Sequence, residues 1–356
     1  MRSPCLLLAA FTALIPYLSA LNITVYQPDV PLVPSPLPPS HAQSDGDAII
    51  ALFQTLGRTT IWKSVANITF EGDTYEPEGM VRLVSGGIER YIVSAGEYTA
   101  PTAKYNITTN GTDRSPGAGF AHLIVFDGNG SRIADAALTP EGAIEYHNGG
   151  IDYDGENIWC TIAQYRPNTT AHVVRVNPRT LVPTTILNVK DHQGGIVHDI
   201  KTNKIWTLNW GSRNGSSFDL NHLPRNAATP GVFTKPSSVV RNPSYFVDYQ
   251  DCKFLGHSHH YHSRPIMLCS GVWNAGVFNL GGLALVDVET MLPLAEVPIT
   301  MTSAVGYPVT QNPMEVAVVE GKLRLYWLPE PGNSTLFVYE AEPGSPYEFG
   351  GSGGLF

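Results

Sequence analysis

Two stretches of the chain repeat one set of chemically active side chains. Residues 146–167 read YHNGGIDYDGENIWCTIAQYRP, and residues 191–213 read DHQGGIVHDIKTNKIWTLNWGSR. Both contain a His, a Gly-Gly pair and an Ile-Trp pair, and both carry an Arg seven residues after the Trp. Imidazoles transfer protons or bind metals, and guanidinium groups hold carboxylates, phosphates or sugars. The repeat therefore predicts a ligand site to which two equivalent units contribute.

Weaker copies of the pattern extend this site to a ring. The copies begin near residues 75, 146, 191, 249 and 310. Their aligned positions supply candidate catalytic residues that could transfer protons or hold a divalent metal, namely His147, His192, Glu76 and Asp251. Candidate substrate-binding residues are two arginines, four aromatic side chains and three amides: Arg166, Arg213, Tyr98, Tyr165, Trp210, Trp273, Asn148, Gln193 and Asn312.

Each of these candidates also has a purely structural interpretation. Asn and Gln side chains next to Gly commonly satisfy the backbone of turns, and each Arg could form a salt bridge between neighbouring units. For the amides both interpretations stay open. For His147 and His192, the equivalent positions in adjacent units favour a ligand or metal role. The sequence does not say whether a metal is bound.

The elements that must position these residues are short strands. Each copy reads as a first strand, a tight turn, a second strand, a polar loop, a third strand and often a fourth. Four antiparallel strands repeated radially form a β-propeller. Residues 58–70 resemble a fourth strand without the first three, and the last copy has only three strands. We therefore predict an all-β fold with a single propeller of five blades, whose ring is closed by the N-terminal strand. Six blades are the alternative, because residues 213–248 could contain further strands.

The rest of the chain divides around this propeller, which we place at residues 58–342. Residues 1–20 have the form of a signal peptide, with Arg2 before an apolar run and a small-residue cleavage site. Residues 21–44 read as an extended Pro-rich linker. Residues 45–57 predict a short amphipathic helix, and residues 343–356 are a Gly-rich tail.

Several features predict a secreted, extracellular and glycosylated protein. The apolar run of the signal is too short to span a membrane, and no later segment is long and apolar enough. Eight N-x-Ser/Thr sequons accompany it, at Asn22, Asn67, Asn106, Asn110, Asn129, Asn168, Asn214 and Asn333. The formal net charge of −9 argues against nucleic acid or an anionic membrane as partner. We expect a monomer that binds a small molecule or a glycan.

Three cysteines remain after removal of the signal. A hairpin turning near residues 260–261 would set Cys252 opposite Cys269, so we predict a disulfide between them. Cys160 follows a Trp within an apolar strand and is expected to be a buried, inert thiol.

The His-rich segment HSHHYHS at residues 257–263 has two interpretations. Strand order places it in the turn between a first and a second strand, on the face opposite the predicted ring. Its four histidines could bind a transition metal, but a solvated turn is the interpretation we favour. Zinc-protease helices, P-loops and dinucleotide fingerprints are absent from the sequence.

The combination of YHNGGIDYDGENIW…YRPN, DHQGGIV…WGSR, FVDYQDC and TQNP resembles a family of secreted bacterial and fungal proteins of unknown function. The resemblance spans roughly residues 58–340 and implies a β-propeller, without an established activity. Similarity to calcium-dependent lactonase-type propellers concerns architecture alone, which does not transfer function.

Two functional hypotheses follow from the ring. The first is a metal- or His-assisted hydrolase or lyase acting on a small anionic or sugar-like substrate. The second is a non-catalytic binder of carbohydrate or peptide, in which the aromatic residues form stacking rims. A third interpretation is an extracellular scaffold whose polar ring only holds water. We prefer the first hypothesis because His is a costly choice for a passive channel.

Overall fold

The computed structural model describes residues 22–342, except residues 58, 245–247 and 277. The predicted signal peptide (1–20) and Gly-rich tail (343–356) lie outside the described residues. The chain begins with strand β1 (Asn22–Val25), a 3-10 turn (His41–Gln43), helix α1 (Gly46–Phe53) and strand β2 (Ile61–Thr69).

Five blades follow in chain order. Blade I contains β3 (Glu76–Ser85), β4 (Ile88–Ala100), the hairpin β5 (Lys104–Thr109) and β6 (Thr112–Arg114), β7 (Ala118–Asp127) and β8 (Arg132–Ala137). Blade II contains β9 (His147–Asn148), β10 (Asp152–Tyr153), β11 (Ile158–Ala163), β12 (Ala171–Asn177) and β13 (Val182–Val189). Blade III contains β14 (Gly195–Asp199), β15 (Lys204–Leu208), β16 (Asn214–Asp219) and β17 (Ser238–Arg241), with 3-10 turns at Trp210–Ser212 and Leu220–His222.

The last two blades complete the ring. Blade IV contains β18 (Asp248–Ser258), a 3-10 turn (His259–Tyr261), β19 (Arg264–Ala275), β20 (Phe278–Asp287) and β21 (Pro293–Ile299). Blade V contains β22 (Met314–Val319), β23 (Lys322–Trp327), β24 (Thr335–Glu342) and β2. The segment 213–248 holds β16 and β17 of blade III, so it adds no sixth blade.

The N-terminal strand closes the ring, as the sequence predicts. Strand β2 pairs antiparallel with β24, from Ile61 opposite Glu342 to Thr69 opposite Thr335. Blade V thus takes its outer strand from the opposite end of the propeller sequence, and this strand pairs with the edge of β24 that would otherwise be exposed.

Buried apolar side chains fill the gaps between the blades. Five clusters each combine residues of two neighbouring blades. Trp159 packs in the cluster between blades II and III, and Trp206 in the cluster between blades III and IV. Both Trp residues are therefore part of the core between blades.

The Gly-Gly pairs allow the chain to approach the propeller axis closely. A Cβ atom on Gly149 would lie 2.2 Å from the carbonyl oxygen of Gly194, and one on Gly150 would lie 2.6 Å from that of Gln250. Real Cβ contacts are never this short, so only glycine fits at these two positions.

The Pro-rich segment differs from the extended linker predicted for residues 21–44. Strand β1 pairs with β8 and adds a fifth strand to blade I, and Val33 is buried in the cluster between blades I and II. The carbonyl oxygen of Pro38 accepts a hydrogen bond from the Tyr153 hydroxyl (2.8 Å). The segment forms no domain of its own, but its apolar side chains find partners on the propeller surface. We call residues 26–44 the strap.

Helix α1 is shorter than the predicted 45–57 and packs against the propeller. Ile49, Ile50 and Phe53 are buried in the cluster between blades IV and V. The helix lies on the face where the first strands end, beside Leu255 near the end of β18. We call this the lower face, and the face where the first strands begin the upper face.

The predicted disulfide is present. Cys252 and Cys269 stand directly opposite each other on β18 and β19, with Cα atoms 4.1 Å apart. Cys160 is a free, buried thiol, and burial raises its pKa strongly, so it stays protonated and unreactive.

Removal of this disulfide should destabilise the fold measurably. The Cys252→Ala/Cys269→Ala variant should lose about 3 kcal/mol of unfolding free energy, the value expected for a crosslink across a loop of this length. Guanidinium denaturation would measure it. Cys160→Ala removes a buried thiol but no crosslink, and should cost less. Equal losses in the two variants would mean that packing, not the crosslink, sets the effect.

Candidate functional site

The upper face carries a polar cleft at the junction of blades I and V. Its volume is about 490 Å3. Three carboxylates and two tyrosines line it: Asp73, Glu76, Glu97, Tyr75 and Tyr98. No Lys or Arg is among its lining residues in the described part of the chain. We call this cavity the upper cleft.

Glu76 lies at the start of β3, as the repeat predicts for a ring residue. A β-bulge between Pro77 and Gly79 leaves Glu78 without a partner on β4, so two glutamates are presented close together. The Tyr98 hydroxyl donates a hydrogen bond to Glu76. Burial and the charge of Glu78 together raise the pKa of Glu76 to about 7, against the opposing effect of His147. Glu76 is therefore partly protonated at neutral pH.

His147 and His192 meet at the upper face, as predicted, but in different environments. The ring of His147 lies 5.4 Å from that of His192 and stacks on Tyr165 at 5.0 Å. Nε2 of His147 lies 3.4 Å from Glu78, and its Nδ1 is buried without a hydrogen-bond partner among the described residues. Nδ1 of His192 donates to the carbonyl oxygen of Gln164 (2.8 Å).

The two histidines consequently differ in charge. Burial disfavours the His147 cation, but Glu78 and Glu76 outweigh burial and raise its pKa. Burial, together with the charge of the neighbouring His147, lowers the pKa of His192 to about 3. His192 is therefore neutral at pH 7, while His147 pairs with carboxylates.

A second charged cluster lies beside the upper cleft, and sequence reasoning missed it. His122 on β7 bridges Glu97 (3.0 Å) and Asp135 (2.8 Å) through its two ring nitrogens, and Tyr75 stacks on it at 4.2 Å. Burial disfavours the His122 cation, but the two carboxylates outweigh burial and raise its pKa. The cluster therefore presents Glu97 to the cleft as an ion-paired carboxylate. A polar His within the apolar run AHLIVFD was the available signal.

Aromatic side chains form a wall next to the cleft. Tyr98 contacts Tyr146 and Tyr165 edge-on at 5.2 and 5.9 Å. Tyr165 meets Trp210 at 5.3 Å, and Arg114 of strand β6 covers Trp210 at 4.9 Å. The wall contains the predicted Tyr98, Tyr165 and Trp210, whereas Tyr146 and Arg114 were not predicted.

The two predicted arginines are occupied by the protein itself. Arg166 donates two hydrogen bonds to Oε1 of Gln164 (2.9 and 2.6 Å). Arg213 forms a salt bridge with Asp248, so it links blade III to blade IV. For Arg213 the structure thus realises the alternative interpretation, a salt bridge between neighbouring blades. Arg114 instead provides the cation of the aromatic wall.

Asp251 does not lie at the channel mouth where the ring alignment placed it. Its side chain is fully buried and accepts hydrogen bonds from the backbone N–H groups of Met80, Ile151 and Met314, and from Lys253 (2.8 Å). The three backbone donors come from blades I, II and V, because all first strands converge around the axis. Asp251 therefore ties the blades together below the mouth.

The remaining predicted residues are placed as follows. Asn148 is buried and donates to the carbonyl oxygen of His122 (2.8 Å). Gln193 is buried, and neither atom of its amide has a partner among the described residues. Asn312 is buried at the start of blade V, and Trp273 is 38% exposed on β19. These residues are not among those lining the upper cleft.

The donor geometry places a candidate metal site elsewhere. Three residues of the described part of the chain, Asp47, His259 and His260, place one possible metal-ligand atom each within 4.8 Å of the other two. No other group of three His, Cys, Asp or Glu residues among the described residues does so. The three residues lie on the lower face. The described residues around His147 and His192 do not form such a set.

The lower end of the channel holds a cavity of about 450 Å3 beneath the strap. His41 bridges Asp45 (2.7 Å) and the buried Glu315 (3.0 Å) there. Burial disfavours its cation, but the two carboxylates prevail and raise the pKa of His41 to about 10. These charges satisfy one another and hold the strap in place.

No helix among the described residues is both long and apolar enough to cross a membrane.

Comparison with solved structures finds matches at low sequence identity. A GH43 beta-xylosidase/alpha-arabinofuranosidase from a compost microbial metagenome, in complex with xylotriose, has a TM-score of 0.43 at 8% identity, covering 79% of this chain and 95% of that one. A glycosyl hydrolase from Bacteroides ovatus has a TM-score of 0.38 at 10% identity, covering 78% and 90%. Such likeness concerns the fold alone.

Sequence comparison gives the affiliation of the chain. No curated protein matches it significantly. Residues 38–343 match DUF6454, a family of unknown function. The match covers the last part of the strap (residues 38–44), α1 and the whole propeller, and therefore includes the upper cleft and the disulfide. The chain belongs to this DUF6454 family.

Proposed function

We propose that this protein hydrolyses a glycosidic bond of a neutral sugar in the upper cleft by acid–base catalysis. The observation that carries the proposal is the pair of glutamates in one cavity. Glu76 is held partly protonated, with its pKa raised to about 7 by burial and Glu78. Glu97 is an ion-paired carboxylate of the same cavity. Glycoside hydrolysis requires one carboxylic acid and one carboxylate on either side of the scissile bond.

The roles follow from these protonation states. Glu76 donates its proton to the glycosidic oxygen as the bond from that oxygen to the anomeric carbon breaks. Glu97 takes a proton from a water molecule whose oxygen forms the new bond to the anomeric carbon. Asp135 and His122 position Glu97, since His122 donates to both carboxylates.

The charge of the cleft favours a neutral substrate over the anionic one that the sequence left open. Asp73, Glu76 and Glu97 line the cleft without a compensating Lys or Arg among the described lining residues. Arg166 and Arg213 are engaged by Gln164 and Asp248. An anionic substrate would be repelled, whereas sugar hydroxyls can donate to the carboxylates, and the apolar face of a sugar can pack on Tyr98 and Tyr165.

Replacement of Glu97 tests this assignment. In a screen of chromogenic neutral glycosides, Glu97→Ala should lose at least about 10²-fold in kcat/KM, because the general base is gone. Added azide should restore part of the rate, since a small anion can occupy the space of the carboxylate. The control Glu141→Gln changes an exposed carboxylate outside the cleft and should retain wild-type activity.

A second candidate function is favoured by the aromatic wall. Arg114 above Trp210 and the edge contact of Trp210 with Tyr165 form a rigid amphipathic surface suited to sugar stacking. If the wild type cleaves no glycoside in the screen but binds a glycan array, and Trp210→Ala abolishes that binding, the protein is a non-catalytic lectin-like binder. That outcome would overturn the hydrolase proposal.

We also propose that the protein is secreted, N-glycosylated and monomeric. Seven sequon asparagines are exposed, in accord with this proposal: Asn22, Asn67, Asn106, Asn110, Asn129, Asn168 and Asn333. Asn214 is half-buried between the blades' loops and should be the least modified. The sequons therefore lie where an oligosaccharyltransferase could reach them.

A further inference from the structure

A cluster on the lower face joins helix α1 to the turn between β18 and β19. Asp47 lies in the first turn of α1, and His259 and His260 lie in the His-rich turn. One ligand atom from each of the three residues lies within 4.8 Å of the others. Nδ1 of His259 is 2.6 Å from Asp47, and the two imidazole rings are 4.0 Å apart.

We propose that Asp47, His259 and His260 form a binding site for a divalent transition metal that crosslinks α1 to blade IV. Two imidazoles and one carboxylate are a ligand set suited to Zn2+, and to Cu2+ or Ni2+, while Ca2+ and Mg2+ prefer all-oxygen sites. The site leaves at least one coordination position open to water, because only three protein ligands are in place.

The ligands are held by contacts that do not involve the metal. Ser258 is buried, and its Oγ donates to Oδ1 of Asp47 (2.6 Å) and accepts from the backbone N–H of His260 (3.2 Å). Supporting hydrogen bonds of this kind orient metal ligands and contribute to affinity.

The turn is also fixed on its other side. The Tyr261 hydroxyl accepts a hydrogen bond from Gln54 (3.0 Å) at the end of α1, and its ring packs on the cluster between blades IV and V. His262 and Ser263 adopt positive φ values of 52° and 61°, which reverse the chain into β19. The metal would replace the proton shared by His259 and Asp47, and their donor atoms would separate to roughly 3.3 Å, the spacing of two tetrahedral Zn2+ ligands.

Metal titration of the intact protein tests the proposal. After chelator treatment and buffer exchange, calorimetry with Zn2+ should show one site per chain, and Ca2+ should give no binding at that site. His259→Ala and His260→Ala should each weaken Zn2+ binding by at least about 10–100-fold, the loss seen when even an outer partner of a metal ligand is removed. Both imidazoles are exposed, so both variants should fold normally.

A matched control separates this site from nonspecific binding by surface histidines. His222 is exposed and forms a similar pair with Asp219 (2.9 Å). Among the described residues, this pair has no third His, Cys, Asp or Glu ligand atom within 4.8 Å of both partners. His222→Ala should therefore leave Zn2+ binding unchanged. Zn2+ should also raise the melting temperature of the wild type and of His222→Ala, but not that of His259→Ala. Equal losses in all three variants, or no Zn2+ site in the wild type, would overturn the proposal.

Discussion

Replacing Glu76 by Gln should lower kcat/KM for the cleaved glycoside by about 10²–10⁴-fold, the usual contribution of a general acid. Gln keeps the size of the side chain and can still accept the Tyr98 hydrogen bond, but it has no proton to donate. Steady-state kinetics on purified wild type and Glu76→Gln would measure the loss. Thermal denaturation should give the same melting temperature for both, because the substitution is isosteric.

The pH profile gives a sharper readout of the same residue. Glu76 must be protonated to act as the acid, and burial together with Glu78 raises its pKa to about 7. Activity should therefore fall as pH rises through about 7. In Glu78→Gln the charge that helps to raise the pKa is removed, so the alkaline limb should move to lower pH. If Glu78 had only a structural role, Glu78→Gln would change the rate but would leave the alkaline limb of the pH profile at the same pH.

Two results would contradict the assignment of Glu76. One is a Glu76→Gln variant whose kcat/KM stays close to that of the wild type. The other is a wild-type profile that is flat from pH 6 to pH 8, which would place the essential acid elsewhere. Loss of activity in Glu76→Gln combined with a lowered melting temperature would point to unfolding, so both measurements belong to one experiment.

The propeller and its closure could be predicted from the sequence because both depend on local patterns. The alternation of apolar and polar residues in the strands, the Gly-Gly pairs and the incomplete last copy can all be recognised in the sequence. The pairing of β2 with β24 and the bond between Cys252 and Cys269 follow from that pattern without any knowledge of side-chain packing. Equivalent repeat positions also identified Glu76, His147 and His192 as neighbours on one face.

The parts of the site that could not be predicted depend on contacts between different elements. Glu97 becomes a candidate base only because His122 and Asp135, on β7 and β8, lie beside it. Arg114 reaches Trp210 from a hairpin inserted between β4 and β7. Alignment of the repeats does not detect an insertion that occurs in one copy alone. It also does not show whether an Arg forms a salt bridge between blades, as Arg213 does with Asp248.

Asp251 shows a further limit of repeat alignment. A position next to the ring can face the mouth or the interior, since a shift of one residue turns the side chain to the other side of a strand. The register of β18 contains a bulge between Tyr249 and Asp251, and the carboxylate points into the channel interior. Burial raises its pKa to about 6 against the opposing effect of Lys253, with which the carboxylate forms a buried ion pair (2.8 Å).

Asp251→Ala should therefore lose about 3–5 kcal/mol of unfolding free energy, because Lys253 would remain as a buried charge without its partner. Lys253→Met should cost less, since Asp251 would still accept bonds from Met80, Ile151 and Met314. The Asp251→Ala/Lys253→Met double variant should recover part of the loss. Recovery stays incomplete because three backbone N–H groups remain without an acceptor.

This series decides between a structural and a catalytic Asp251. If Asp251 only ties the blades together, the folded double variant should retain most of the wild-type kcat/KM, while chemical denaturation shows its lower stability. If Asp251 transfers protons, as the ring alignment suggested, the kcat/KM of the double variant should remain at least about 10²-fold below that of the wild type, even though part of its stability is recovered. Normal stability with abolished activity would restore the catalytic role, because a residue that holds four blades together cannot be removed without cost.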